Sequence, residues 1–82
     1  MNLPKTIILY ARQHCRDCQR AKNVLDSKSI PYVYIDVDEH PSAADEVTML
    51  TNGYQKMPVI VFSDGTILIE PTTEELEKNI RS

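Results

Sequence analysis

The sequence predicts an α/β fold of one small domain, with its elements in the order β-α-β-α-β-β-α. Three observations predict it: short apolar runs with the length of strands, intervening segments with the charge pattern of amphipathic helices, and an Asp-Gly pair between the last two strands. The 82 residues leave room for a single domain spanning 1–82. Apolar residues make up 41% of the chain, which excludes a disordered chain.

The first strand and the first helix flank the only two cysteines of the chain. The β-branched run TIILY at 6–10 is typical of a buried strand. From Cys15 onward the pattern becomes helical, and the segment DSKSIP with Pro31 ends the helix. The apolar face of this helix is predicted to consist of Cys18, Ala21, Val24 and Leu25.

The middle of the chain predicts a second strand and a second helix. The run YVYIDV at 32–37 has the aromatic and β-branched composition of a strand. A helix from about 42 to 51 follows, and Asn52-Gly53 supplies the left-handed residues that commonly end a helix. The apolar residues that indicate this helix are Ala44, Val47, Met49 and Leu50.

The last third of the chain predicts a hairpin and a final helix. PVIVF at 58–62 and TILI at 66–69 are the two strands, and Ser63-Asp64-Gly65 is the turn between them. The segment PTTEELEKNI forms the helix. Its start carries a capping box, with Thr72 as the N-cap and Glu75 at the third helical position.

Charge is divided unevenly along the chain, although the net charge is only −3. Residues 1–35 carry six basic and two acidic groups, a net +4, whereas residues 36–82 carry three basic and ten acidic groups, a net −7. No long basic stripe exists, so we expect no nucleic-acid binding. No apolar run approaches the length of a membrane span, and the segment MNLPKTIILYAR lacks a cleavage site, so we expect no membrane association and a cytoplasmic location.

Cys15 and Cys18 form a C-x-x-C motif at the predicted start of the first helix, in a basic neighbourhood. The unpaired N–H groups and the dipole of a helix N-terminus favour negative charge, and Arg12 and Arg16 add to this effect, so the thiolate of Cys15 is favoured. Asp17 opposes it. Cys18 lies one turn further on the same face, where it can attack a mixed disulfide formed at Cys15. The motif therefore predicts a dithiol mechanism.

Two non-redox roles for the cysteines stay open at this point. They could be small apolar residues of a helix face, or zinc ligands together with His14 and His40. The C-x-x-C motif beside an α/β pattern favours redox chemistry, and the second paired ligand element of a structural zinc site is missing. A disulfide over so short a loop constrains little chain entropy, so a structural staple accounts poorly for the pair. We expect no metal ligands.

These residues and the order of the elements together resemble the glutaredoxins over nearly the whole chain. The stretch YARQHCRDCQRAK fits the family's strand, Tyr-x-x-x-x-Cys-x-x-Cys motif and helix, and Lys56-Met57-Pro58 fits its Thr-Val-Pro segment. The ending FSDGTILIEPTTEELEKNI looks most like the actinobacterial mycoredoxin branch. The resemblance implies a thioredoxin-like fold, with a four-stranded mixed sheet and three helices.

The resemblance also implies a substrate site around the catalytic pair Cys15 and Cys18. Pro58 would be cis and lie against the Cys15 sulfur, and the Met57 backbone would pair with an extended substrate. The resemblance further implies Arg12 for a thiol carboxylate and Thr72 and Thr73 for a second carboxylate. The positive charge of Lys56 beside the site is itself expected to favour an acidic partner or thiol. The alternatives are an ordinary strand start at Pro58, solvated charges at Arg12 and Lys56, and simple capping at the two threonines.

Three departures from the family pattern lie close to this site. Arg16-Asp17 replaces the Pro-Tyr or Gly-Tyr common between the cysteines, and Lys56 replaces the usual Thr. The Gly-Gly and Asp pair of glutathione-using members is absent, which weakens the case for glutathione as the donor. Tyr10 is expected in the core rather than in contact with substrate.

The implied function is that of a thiol–disulfide oxidoreductase with no bound cofactor and with mycothiol or glutathione as electron donor. Its expected partners are disulfide-containing or S-thiolated proteins, and the protein is expected to be a monomer. One alternative is a redoxin that takes electrons from thioredoxin reductase and delivers them to ribonucleotide reductase. An alternative of another class is a redox sensor or a thioredoxin-fold binding module without catalysis.

Overall fold

The computed structural model describes residues 6–53 and 56–80. The predicted domain 1–82 and its N-terminal segment extend beyond these described residues. The predicted order of elements is confirmed, and their bounds are β1 Ile8–Ala11, α1 Arg16–Ser27, β2 Val33–Asp36, α2 Pro41–Leu50, β3 Val59–Val61, β4 Ile67–Ile69 and α3 Thr73–Ile80. Among the described helices, none has the length and apolar character needed to cross a membrane.

The four strands form one mixed sheet in the order β2-β1-β3-β4. Strand β1 is parallel to β2 and antiparallel to β3, and β3 is antiparallel to β4. Because β3 runs against β1, its first residue, Val59, lies opposite Tyr10 near the carboxyl end of β1. The segment Met57-Pro58 therefore lies at the same end of the sheet as the loop that carries Cys15, the carboxyl end of β1.

Strand β1 supplies alternate side chains to two buried apolar clusters, as the pleat of a strand requires. Tyr10 belongs to the cluster that contains Val47 of α2, whereas Leu9 belongs to the cluster that contains Leu25 of α1 and Leu76 of α3. Leu9, Leu25 and Leu76 are at most 1% exposed. Burying one such side chain contributes about 1.5–3 kcal/mol, so these clusters hold the helices to the sheet.

Turn and cap residues behave as the sequence predicts. Asn52 and Gly53 have φ angles of 60° and 101°, and the Gly53 N–H donates to the Thr48 carbonyl at 2.7 Å, which ends α2. At the start of α3, the Glu75 N–H donates to Thr72 Oγ1 at 3.1 Å, and the Thr72 N–H donates to Glu75 Oε1 at 3.0 Å. The predicted capping box is confirmed.

The strand ends differ from the predictions by one or two residues, because a strand extends only as far as its ladder of hydrogen bonds. Ala11 pairs with Asp36, so β1 continues past Tyr10. Pro58 cannot donate a backbone hydrogen bond, so β3 begins one residue later than predicted. The Phe62 N–H donates to the Thr66 carbonyl at 2.8 Å and closes the hairpin turn.

Two residues that indicated α2 do not contribute to the core. Met49 is 82% exposed and Leu50 is 45% exposed. The buried residues of this helix are instead Ala43 and Val47, which are small enough to bring the helix close to the sheet. Val47 was among the apolar residues that indicated this helix, whereas the other buried position, Ala43, was not.

Candidate active site

Cys15 is the N-cap of α1 rather than its first helical residue. Its backbone is extended, with φ −112° and ψ 108°, and its Sγ accepts the Cys18 N–H at 3.1 Å. An N-cap side chain normally supplies an oxygen to the unpaired N–H groups of the first turn. Here a sulfur occupies that place, so a thiolate at Cys15 would meet an N–H donor and the positive end of the helix dipole.

The two cysteines are joined in a disulfide, with their Cα atoms 5.2 Å apart. They differ in accessibility: Cys18 is 1% exposed, whereas Cys15 is half-buried. An external disulfide can therefore reach Cys15 but not Cys18. The second sulfur lies behind the first, where it can complete an exchange that begins at Cys15.

The loop before Cys15 is held by the neighbouring β2–α2 connection. His14 has a φ of 57°, a left-handed conformation that is uncommon for a residue with a side chain. The Gln13 N–H donates to Asp38 Oδ2 at 3.1 Å, and the Asp38 N–H donates to Asp36 Oδ1 at 2.8 Å. This anchor fixes the backbone two residues before the reactive sulfur.

The Met57-Pro58 segment lies on the other side of Cys15. Its peptide bond is cis, as the family resemblance implied, and the Met57 carbonyl oxygen lies 3.9 Å from Cys15 Sγ. Both side chains are buried. The Pro58 carbonyl accepts the Glu70 N–H at 2.9 Å, which connects this segment to the start of α3.

An open groove runs from Cys15 toward β2, and we call it the β2-side groove. Tyr34, which is 41% exposed, and Asp36 line it from β2. The residues that line it from the loop and α1 are Arg12, Gln13, His14, Cys15, Arg16 and Gln19. Arg12 also lines a smaller cleft beside Met57 and α2. Arg12 thus borders both the groove that reaches Cys15 and the cleft beside Met57.

The cations near Cys15 differ from those further along α1. Ion pairs join Arg20 to Asp17 at 2.9 Å, Lys22 to Asp26 at 3.0 Å and Lys28 to Glu77 at 3.6 Å. Within residues 6–53 and 56–80, no such pair involves Arg12, Arg16 or Lys56.

The charge of Asp17, which opposes a thiolate, is offset by its pairing with Arg20. Arg12 and Arg16 line the groove, where they face one acid, Asp36.

The structure places the remaining predicted site residues around the Met57-Pro58 segment and the start of α3. Lys56 is exposed and directly precedes Met57. Thr72 already uses its N–H and its hydroxyl oxygen in the capping box, and Glu74 and Glu75 add negative charge to the same turn. Thr73 is half-buried and begins the helix.

Tyr10 lies in the core, as expected, and is 4% exposed. Burial raises the pKa of its hydroxyl, and the negative charge of Glu46 raises this pKa further. In the described part of the chain, no group of three or more His, Cys, Asp or Glu side chains is placed to hold a metal ion.

Several residues at the site were not identified from the sequence, namely Gln13, Gln19, Tyr34, Asp36 and Asp38. The carboxyl ends of neighbouring parallel strands meet at one edge of a sheet, where ligands commonly bind. Applied to β1 and β2, that rule would have pointed to Asp36 and its neighbours.

Comparison with known proteins identifies relatives over most of the chain. A family model described as Glutaredoxin matches residues 7–67. Glutaredoxin-like protein NrdH of Salmonella typhimurium is 30% identical over 59 residues, which cover 72% of this chain and 70% of that protein. Mycoredoxin 1 of Corynebacterium glutamicum is 29% identical over 76 residues, which cover 93% of this chain and 94% of that protein.

Solved structures show the same fold. The glutaredoxin-like protein NrdH-redoxin from Escherichia coli superposes with a TM-score of 0.77 at 22% identity, covering 89% of this chain and 92% of that one. The predicted thioredoxin-like fold is therefore confirmed.

Proposed function

The chain belongs to the glutaredoxin family of thiol–disulfide oxidoreductases, and we propose that it reduces protein disulfides or protein–small-thiol mixed disulfides through Cys15 and Cys18. One observation carries this proposal. The accessible Cys15 sulfur caps α1 and accepts an N–H, while the Cys18 sulfur lies buried directly behind it.

The proposed reaction proceeds in two exchanges at sulfur. The Cys15 thiolate attacks one sulfur of the substrate disulfide, forms a mixed disulfide with it and releases the other sulfur as a thiolate, which takes a proton from water. The Cys18 thiol then attacks Cys15 Sγ and loses its proton, which leaves Cys15–Cys18 oxidised and releases the second substrate sulfur as a thiolate that takes up that proton. Two electrons pass from the dithiol to the substrate, and no bound cofactor is required.

The surrounding residues are proposed to favour this reaction in different ways. The Cys18 N–H and the positive end of α1 stabilise the Cys15 thiolate. The Met57 backbone, turned by Pro58, would align an extended substrate beside the sulfur. Arg12 and Lys56 would attract a carboxylate of the small thiol or an acidic segment of a protein substrate, and Thr73 is a further position for a carboxylate contact.

The relatives support two electron donors. Mycoredoxin 1 matches along 93% of the chain and supports a small thiol, for which mycothiol and glutathione are the candidates. NrdH supports the second candidate function, in which thioredoxin reductase reduces the protein and ribonucleotide reductase oxidises it. The acidic first turn of α3, with Glu74 and Glu75, weakens the case for a glutathione carboxylate at Thr73 and so favours this second function over glutathione. Either function requires a reducing compartment, so we propose a cytoplasmic location. We also propose that the protein acts as a monomer.

The test follows the reduction of the oxidised protein by three donors: glutathione, mycothiol, and thioredoxin reductase with NADPH. Reduction by a small thiol supports the glutaredoxin or mycoredoxin function and names the donor. Reduction by thioredoxin reductase alone supports the ribonucleotide reductase redoxin. Failure of all three donors would contradict the proposal and favour a redox sensor.

A further inference from the structure

Asp38 is an exposed acidic residue whose carboxylate is bonded to the active-site loop. The loop and Asp38 are 25 residues apart in the sequence, and they meet because β1 and β2 are parallel and in register at Ala11 and Asp36. Just beyond that pair, the Val37 N–H donates to the Ala11 carbonyl at 2.8 Å, and Asp38 Oδ2 accepts the Gln13 N–H at 3.1 Å. The carboxylate thus extends the contact between β1 and β2 past the end of the strands.

Asp38 is itself held in place by its own connection. The Asp38 N–H donates to Asp36 Oδ1 at 2.8 Å, and the Asp36 carbonyl accepts the N–H groups of Glu39 and His40 at 3.1 and 3.0 Å. The carboxylate that holds Gln13 therefore projects from a closed turn rather than from a free loop.

The anchor matters because the backbone after it has little other support from regular structure. His14 adopts a left-handed conformation between Gln13 and Cys15, which costs free energy unless neighbouring contacts maintain it. The conformation of these residues determines whether Cys15 Sγ faces the Cys18 N–H. A change at Gln13 is therefore transmitted over two residues to the reactive sulfur.

We propose that Asp38 is a positioning residue for the thiol chemistry: by accepting the Gln13 N–H, it holds the loop in the conformation that places Cys15 Sγ at the N-terminus of α1. The chemical consequence rests on the proposed function. The anchoring itself does not, because it concerns the backbone of Gln13.

Charge and anchoring at Asp38 act on Cys15 in opposite directions, which allows them to be separated. The negative charge of Asp38 disfavours a thiolate nearby, whereas the anchor favours it by keeping the sulfur on the helix N-terminus. The other charged or titratable groups around Cys15 stay unchanged in the test; they are Arg12, His14, Arg16, Asp17 with its partner Arg20, Tyr34, Asp36, Asp45 and Lys56.

The test uses Asp38→Ala, which removes the acceptor, and Asp38→Asn, which removes the charge but keeps an acceptor oxygen. Glu39→Ala is the matched control, since it removes the neighbouring exposed charge. In the reduced protein we would measure the amide hydrogen exchange of Gln13 and, by mass spectrometry, the rate at which iodoacetamide alkylates Cys15 between pH 5 and 9. The melting temperature of each variant reports overall stability.

We expect Asp38→Ala to speed exchange at Gln13 and to slow Cys15 alkylation at pH 7, each by about three- to tenfold, the range that one net hydrogen bond corresponds to. Asp38→Asn should retain the exchange rate and alkylate at least as fast as the unaltered protein. Glu39→Ala should leave the exchange rate unchanged. Because Asp38 is exposed, its replacement by alanine leaves no buried cavity.

Three results would overturn the proposal. One is an Asp38→Ala variant with a lower melting temperature but unchanged Gln13 exchange and Cys15 alkylation, which indicates a purely structural residue. Another is equal behaviour of the Ala and Asn variants, which indicates charge alone. The third is an effect of Glu39→Ala as large as that of Asp38→Ala.

A further variant serves if Asp38→Ala does not fold. Asp38→Glu displaces the carboxylate by one methylene and is expected to speed amide exchange at Gln13. An unchanged exchange rate in this variant would contradict the anchor.

Failure of the proposed function would look different. In that case none of the three donors would reduce the oxidised protein, or Cys15→Ser would retain disulfide reductase activity. The Gln13 exchange rates of the Asp38 variants would still follow the presence or absence of an acceptor.

Discussion

Helices α1 and α3 begin with the same kind of cap but use different atoms for it. At α3 the Thr72 hydroxyl oxygen accepts the Glu75 N–H, and the Glu75 carboxylate accepts the Thr72 N–H in return. At α1 the acceptor is the Cys15 sulfur. The cap of α3 keeps its chemistry at neutral pH, whereas the cap of α1 changes between a disulfide sulfur and a thiol or thiolate.

The first turns of α1 and α3 also differ in their acidic residues. The first turn of α3 contains Glu74 and Glu75, which complement the helix dipole permanently. The first turn of α1 contains a single acidic residue, Asp17, and its carboxylate is paired with Arg20. The chain therefore stabilises one helix N-terminus with fixed carboxylates and leaves the other to stabilise a charge that appears only when its cysteine is reduced. Capping serves stability at α3 and reactivity at α1.

The largest expected effect comes from exchanging the sulfur cap for an oxygen cap. Cys15→Ser should abolish disulfide reduction, because a serine hydroxyl is not ionised at neutral pH, while the Ser oxygen can still cap α1 and preserve the fold. The measurement is turnover of a small mixed disulfide. Cys18→Ser is the comparison variant: it should trap a mixed disulfide on Cys15, visible by mass spectrometry. A Cys15→Ser variant that stays active would rule out the mechanism.

Making α1 resemble α3 should separate reactivity from stability. Arg16→Glu places an acid in the first turn of α1, which should raise stability by about 0.3–1 kcal/mol through the helix dipole. The same charge disfavours the Cys15 thiolate, so alkylation at pH 7 should slow by about two- to tenfold. Lys78→Glu, in the last turn of α3, is the control and should leave alkylation unchanged. If Arg16→Glu raises both the rate of Cys15 alkylation and the melting temperature, the opposite effects of this charge on reactivity and stability are contradicted.

Removing the cap of α3 should affect stability alone. Thr72→Ala is expected to destabilise the protein by about 1 kcal/mol, which lowers the melting temperature by about 4–8 °C in a domain of this size. The rate of disulfide exchange at Cys15 should not change. A large loss of activity in folded Thr72→Ala protein would instead indicate that this threonine contacts substrate, which the family resemblance allows.

The smallest expected effect concerns the opposite end of α1, where Asp26 accepts the Tyr32 hydroxyl at 2.7 Å and the Lys22 ammonium at 3.0 Å. The Tyr32 bond and then the Lys22 bond lower the pKa of Asp26. A carboxyl group whose folded-state pKa is lowered stabilises the fold above its unfolded-state pKa, and this stabilisation disappears as the pH falls through the folded-state value.

Tyr32→Phe should therefore lower the melting temperature slightly at neutral pH, and its difference from the unaltered protein should shrink as the pH falls below the ordinary range of an Asp carboxyl group. Thermal melts at neutral and acidic pH measure this difference. Tyr34→Phe, which alters an exposed tyrosine of the β2-side groove, should cause no comparable change at either pH. A Tyr32→Phe difference that persists undiminished in acid would contradict the assignment.

Features that depend on neighbouring residues in the sequence were predictable. The capping box at Thr72 and Glu75, the helix end at Asn52-Gly53 and the spacing of Cys15 and Cys18 each involve residues at most five positions apart. Local backbone geometry determines such contacts, so the residue types suffice to predict them.

Features that depend on sheet register were not predictable. The bond between Gln13 and Asp38 exists because Ala11 pairs with Asp36, and no local pattern contains that pairing. Tyr34 lines the groove because β2 is an edge strand with one side free. The exposure of Met49 has a related cause: in α2 the small Ala43 faces the sheet, and hydrophobicity alone does not show which face of a helix is buried.

The order of the strands has a consequence for how this protein meets copies of itself. Of the strands described in residues 6–53 and 56–80, β2 and β4 form the two edges of the sheet, and they contain four and three residues. An edge strand offers its outer N–H and C=O groups as a template on which another chain can add a strand, and short edges limit that addition. Although Val33, Tyr34 and Ile69 are partly exposed on these edges, a second molecule could extend the sheet by only one short strand. Short edges of this kind limit edge-to-edge aggregation at high protein concentration.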